Sequence, residues 1–64
     1  MDTIGYHQHL ARLAHEQGDY LRAAKHYVDA ANCYPTPEQG EICLKLARKE
    51  LAYQKAKVGN RAPA

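Results

Sequence analysis

Residues 18–39, GDYLRAAKHYVDAANCYPTPEQ, decide the fold. The stretch opens with a stop and a start. Gly18 suits the left-handed position just past a helix end, and Asp19 then caps the next helix. So short a connection forces an antiparallel helical hairpin. The stretch closes in the same way. Pro35 ends a helix, Thr36 is an N-cap and Pro37 takes the first helical position. Gln39, three residues after the cap, completes a capping box. Between the two signals lies a helix over about Tyr20 to Tyr34. Its apolar side holds Tyr20, Ala23, Ala24, Tyr27, Val28, Ala30, Ala31 and Tyr34. That arc is roughly half the circumference, more than the roughly 100° that faces one neighbour. This helix is predicted to touch two others, and its alanines let them come close.

Working outward, a first helix is predicted over about residues 3–17, with Asp2 or Thr3 as N-cap. Tyr6, Leu10, Ala11, Leu13 and Ala14 form its apolar stripe, while Gln8, His9, Arg12, His15 and Glu16 fall on the other side. A third helix runs from about Pro37 to Lys57. Gly59-Asn60 stops it, and residues 59–64 read as a flexible tail. β-Branched residues are few, and no strict alternation appears. The expectation is therefore an all-α chain, one domain over residues 1–58, built as an antiparallel hairpin plus a long third helix. The third helix has two apolar edges. Cys43, Leu44, Ala47 and Leu51 form one; Ile42, Leu46 and Tyr53 form the other, about 140° round. The hairpin is expected to cover the first edge and leave the second without a partner inside one chain. Self-association through Ile42, Leu46 and Tyr53, most simply as a symmetric dimer, is the predicted consequence.

Composition limits the function. Of 64 residues, 45% are apolar, but eleven are Ala, and Phe and Trp are absent. Small chains with so light a core usually need a staple, a metal or a partner. That argues against a self-contained enzyme with a deep pocket. No apolar run is long enough to span a membrane, and the first residues lack the basic start and apolar core of a secretory signal. Cys33 and Cys43 then read as two reduced thiols in a cytoplasmic protein. A chain this short suits an accessory gene of phage or plasmid type. The net charge of +2 is unevenly spread. Residues 1–44 carry three cations and six carboxylates, a balance of −3. Residues 45–64 carry six cations and Glu50 alone, a balance of +5.

Residues 5–38 resemble a tetratricopeptide repeat, the 34-residue helical hairpin of protein-interaction scaffolds. Leu10-Ala11 stands where that motif has Leu-Gly, and Ala14 stands at its later Tyr/Ala position. Gly18-Asp19-Tyr20 matches the turn. Ala23, Tyr27 and Ala30 fall on the Ala, aromatic and Ala positions of the second helix, and Pro35 on the closing Pro. Tyr27 would fill the space between the two helices. The motif prefers Trp where this chain has His7. The third helix has Leu44 at the next repeat's Leu position but Lys45 at its Gly position, and it looks like the helix that caps such arrays. The three-helix microtubule-interacting-and-transport domain is similar in size, with a comparable Gly-x-Tyr-x-x-Ala second helix. The proline punctuation favours the first resemblance. Both imply a module that binds peptides or helices of other proteins.

In the tetratricopeptide family ligands lie on the concave face built from first helices. The resemblance maps that face onto Gly5, Gln8, Arg12, His15 and Glu16; the family's two-carboxylate clamp is not reproduced. Other chemistry has weaker support. His7 and His9 point to nearly opposite sides, and His26 lies on the polar side beside Asp29. No H-x-x-x-H or Cys-pair spacing marks a metal site, so neither metal nor cofactor is expected. The four His read instead as groups that tune charge between about pH 5 and 7. Cys33 and Cys43 lack a base and an orienting third group, so no catalytic residue is assigned. Lys45, Arg48, Lys49 and Lys55 offer a basic face for a phosphate backbone. Glu41 and Glu50 interrupt it, and no Asn or Gln fork sits among the cations for base readout. The predicted activity is that of a non-catalytic adaptor or regulator that binds another protein. Nucleic-acid binding by the third helix is the alternative.

Overall fold

The computed structural model describes residues 3–59. Three helices account for nearly all of them: α1 (Thr3–Glu16), α2 (Tyr20–Asn32) and α3 (Pro37–Gly59). The punctuation acts as the sequence predicts. Gly18 has φ +77°, the left-handed conformation that spares only glycine a Cβ clash. Asp19 caps α2, its side chain accepting from the Arg22 backbone N–H at 3.3 Å. Thr36 Oγ1 accepts from the Gln39 backbone N–H at 3.4 Å and so caps α3. The ends differ by a turn or less from the expected ones. α1 stops at Glu16, α2 stops at Asn32 with Cys33 as its C-cap, and α3 runs on to Gly59. The expected cap at Asp2 and the tail beyond Gly59 lie outside the described residues.

As its broad apolar arc requires, α2 lies between α1 and α3 and packs against both. The three helices form one layer of 47 × 21 × 11 Å, with a radius of gyration of 12.8 Å. A compact chain of this length has a radius near 10–11 Å, so the layer is open. It is also bent. On one face of α2, side chains of α1 and α3 meet: Gln8 donates to Cys43 Sγ at 3.4 Å, and His15 meets Glu50. Both pairs are 35 residues apart, so α1 and α3 run parallel in constant register. The core between the layers of side chains is made of small residues. Ala11, Ala14, Ala23, Ala24, Ala30, Ala31 and Ala47 are buried together with Cys43. Ile4 and Tyr34 close over the Ala30, Ala31 and Cys43 end. Where α3 crosses α2, Gly40 sits so close to Ala31 that a Cβ on it would meet the Ala31 carbonyl oxygen at 2.7 Å.

This close approach reverses one expectation. The stripe of α3 that touches the hairpin is Gly40, Cys43, Ala47 and Glu50. Leu44 and Leu51, expected to be covered, are 37% and 49% exposed. Small residues let the helix axes draw together, and the larger leucines are left on the flank. The opposite edge, expected to lack any partner within the chain, is partly covered because α1 bends over to reach it. Leu46 is half-buried there, and the Tyr53 ring packs on His15 and Tyr20 with centroids 5.4 and 5.5 Å away. Of that edge, Ile42 is left outside at 70% exposed, and Tyr53, for all its ring contacts, keeps 49% of its surface exposed. The hairpin stripe is likewise thinner than its pattern, since Tyr6, Leu13 and Val28 are exposed.

Candidate functional site

The bend of the layer creates a groove between α1 and α3, floored by α2. Its upper part has a volume of about 400 Å³ and is lined by Gly5, Gln8, His9, Arg12, Tyr27 and Leu46. Its lower part, about 300 Å³, is lined by Arg12, His15, Glu16, Tyr27, Leu46, Lys49, Glu50 and Tyr53. The two parts share Arg12, Tyr27 and Leu46. Helical spacing explains the lining. Positions 5, 8, 9, 12, 15 and 16 follow the three-and-four rhythm of one face of α1, as 46, 49, 50 and 53 do on α3. Gly5 removes a side chain where the groove opens.

All five residues that the sequence assigned to the concave face, Gly5, Gln8, Arg12, His15 and Glu16, line this groove. The same groove takes in residues that the sequence placed elsewhere. Leu46 and Tyr53 belong to the edge proposed for self-association, and Lys49 to the basic face. Lys45, Arg48 and Lys55 are exposed and line neither part. Lys45 lies 3.9 Å from the Glu41 carboxylate, an exposed pair one helical turn apart. Such pairs contribute little to stability, but this one offsets a charge of the basic face. Cys33 is exposed, Cys43 is buried, and both are free thiols.

Three groove residues were missed by the sequence reading. Tyr27, which the resemblance casts as filling the space between α1 and α2, forms the floor. Burial raises its hydroxyl pKa above the usual 10.0, with the Glu50 charge adding to the effect and Arg12 opposing it. Glu50 reads in sequence as an interruption of a basic run. It is 5% exposed, and its carboxylate oxygens stand 2.6 and 3.0 Å from His15 Nδ1. Against an ionised carboxylate, which only accepts, Nδ1 is the donor. His9 shares the polar side of α1 with Gln8, Arg12, His15 and Glu16 but is not among the residues the resemblance assigns to the concave face, and it lines the upper groove. The repeat period does not supply these pairings: a 34-residue offset sets Gln8 against Ile42 and His15 against Lys49, one residue short of the Cys43 and Glu50 they meet.

The groove thus combines an apolar floor, Tyr27 and Leu46, with cations on both walls, Arg12 from α1 and Lys49 from α3. Among the described residues neither cation makes an ion pair. Glu50 is spent on His15, which leaves Glu16 as the free carboxylate at the lower end. The arrangement can seat a side chain and attract an anion. No family model, no curated protein and no solved structure matches the chain.

Proposed function

We propose that this protein is a non-catalytic interaction module whose α1–α3 groove binds a short segment of another protein. The segment places an apolar side chain over Tyr27 and Leu46 and an acidic group between Arg12 and Lys49. One observation carries the reading: two cations from different helices, without an ion pair among the described residues, line the same cavity above a half-buried aromatic floor. The resemblance to a tetratricopeptide repeat supports it, because parallel first helices one period apart are what such a scaffold offers to a peptide. Peptide display against the wild-type chain and against Arg12→Glu with Lys49→Glu tests it. Enriched wild-type ligands carry Asp or Glu within a few residues of a large apolar side chain, and the charge-reversed variant loses them. Enrichment that is absent, or the same for both chains, overturns the proposal.

A specific observation favours self-association as a second property. Leu44, Leu51 and Val58 recur every seven residues along α3 and are exposed. Leu44 shares a cavity with Asn32 of α2, and Val28 and Leu21 continue that flank of α2, both exposed. The two rows form an apolar strip on the face away from the groove. A second copy of the chain would cover such a strip through a two-fold contact. Ile42 lies outside this strip, and Leu46 and Tyr53 lie in the groove. The predicted dimer contact therefore moves to Leu21, Val28, Leu44, Leu51 and Val58.

A further inference from the structure

We propose that His7, His26 and Asp29 form a binding site for a divalent transition-metal ion, with zinc as the reference ligand. His26 and Asp29 are three residues apart and project from one face of α2. His7 reaches them from α1, across the hairpin. The Nδ1 atoms of His7 and His26 are 3.4 Å apart. One ligand atom from each of the three residues, the Asp29 carboxylate included, lies within 4.8 Å of the others. All three side chains are half-buried.

The spacing of the two imidazole nitrogens is what coordination demands, and the Asp29 carboxylate, within 4.8 Å, has to turn inward to complete the set. Two nitrogens bound at about 2.0–2.1 Å to a tetrahedral zinc stand about 3.3–3.4 Å from each other. The same separation exceeds the roughly 2.7–3.2 Å of a good hydrogen bond from N–H. The stacked rings, with centroids 5.6 Å apart, therefore bring two donor atoms together without a strong bond between them. Two imidazoles and one carboxylate suit zinc, cobalt, nickel or copper, whereas magnesium and calcium prefer oxygen ligands throughout. Three protein ligands leave a fourth position for water or for a donor from outside the chain. None of the three residues lines the α1–α3 groove, so the metal site stands independently of the peptide reading. A bound ion would cross-link the first half of α1 to the second half of α2. It would supply the staple that a core of alanines lacks.

The site escapes a motif search because its ligands come from two helices. The test uses the full chain stripped with chelator. Calorimetry with Zn²⁺ should give one ion per chain, Co²⁺ should give the visible bands of a tetrahedral centre, and Zn²⁺ should raise the melting temperature until EDTA reverses it. His7→Gln and His26→Gln should each weaken Zn²⁺ binding by more than the roughly 10–100-fold typical of losing an outer-shell partner. Asp29→Asn, which keeps the side-chain volume, should weaken binding with the helical circular-dichroism signal unchanged, and His9→Gln should leave it as in the wild type. Absence of saturable Zn²⁺ binding, or binding that survives Asp29→Asn and both His substitutions, overturns the proposal.

Discussion

Buried Glu50 of α3 and half-buried His15 of α1 meet across the bend of the layer, with both carboxylate oxygens within 3.0 Å of one ring nitrogen. The contact holds α1 over α3 and so defines the lower end of the groove. A carboxylate that is 5% exposed cannot be left without a partner. His15→Ala should therefore destabilise the chain by about 1–3 kcal/mol, the usual cost of an unsatisfied buried group. Replacing both residues with leucine should recover most of that loss, because it removes the stranded charge along with its partner. Urea melts of the single and double variants measure both effects. An unchanged midpoint in His15→Ala would mean that the contact holds nothing together.

Gly40→Ala should also destabilise. Alanine is the better helix former by about 1 kcal/mol, so an isolated helix would gain. Here the added Cβ would meet the Ala31 carbonyl oxygen at 2.7 Å and its Cα at 3.3 Å. These are backbone atoms that cannot rotate away, and overpacking of this kind costs about 1–3 kcal/mol. A lower melting temperature in Gly40→Ala is expected; a higher one would show that α3 does not pack this closely on α2.

The apolar strip predicts a dimer. Sedimentation equilibrium at tens of micromolar should give twice the 7.2 kDa chain mass for the wild type. Leu44→Glu with Leu51→Glu should give monomer, or an unfolded chain where folding depends on the contact. Ile42→Glu should leave the mass unchanged. A cooperative melt from a wild-type monomer would count against the strip as an interface.

For nucleic acid the account predicts little affinity. Lys45 is offset by Glu41, and Lys49 belongs to the groove wall. Binding to generic duplex at physiological salt should be no tighter than about micromolar, the tight end of the non-specific range. A sub-micromolar gel shift that Lys45→Glu with Lys49→Glu abolishes, and that salt weakens steeply, would favour the alternative function.

The helices were legible because their signals are local. Gly18, Asp19, Pro35, Thr36 and Pro37 each act within a few residues, and the α2 arc announces two neighbours by its width. Helical period also sorts α1 into faces, which is why Gln8, Arg12, His15 and Glu16 were found together. The packing of α3 was harder to read. Its two apolar edges look equivalent in sequence, and hydrophobicity favours the leucines as the contact. Close approach selected Gly40, Cys43 and Ala47 between them, since a Gly–Ala crossing draws the axes nearer than a leucine allows. Residues paired across helices were illegible for the same reason. Glu50 gains its meaning from His15, and His7 from His26 and Asp29, through a bend that no local pattern encodes.

The most direct test of the central claim is a chemical-shift titration of the ¹⁵N-labelled chain with an acidic, apolar-anchored peptide taken from the display experiment. The account predicts saturable shifts centred on Gln8, Arg12, Tyr27, Leu46 and Lys49, and no change at Leu21, Val28, Leu44 and Leu51. Shifts confined to the latter four, with the groove silent, would contradict it.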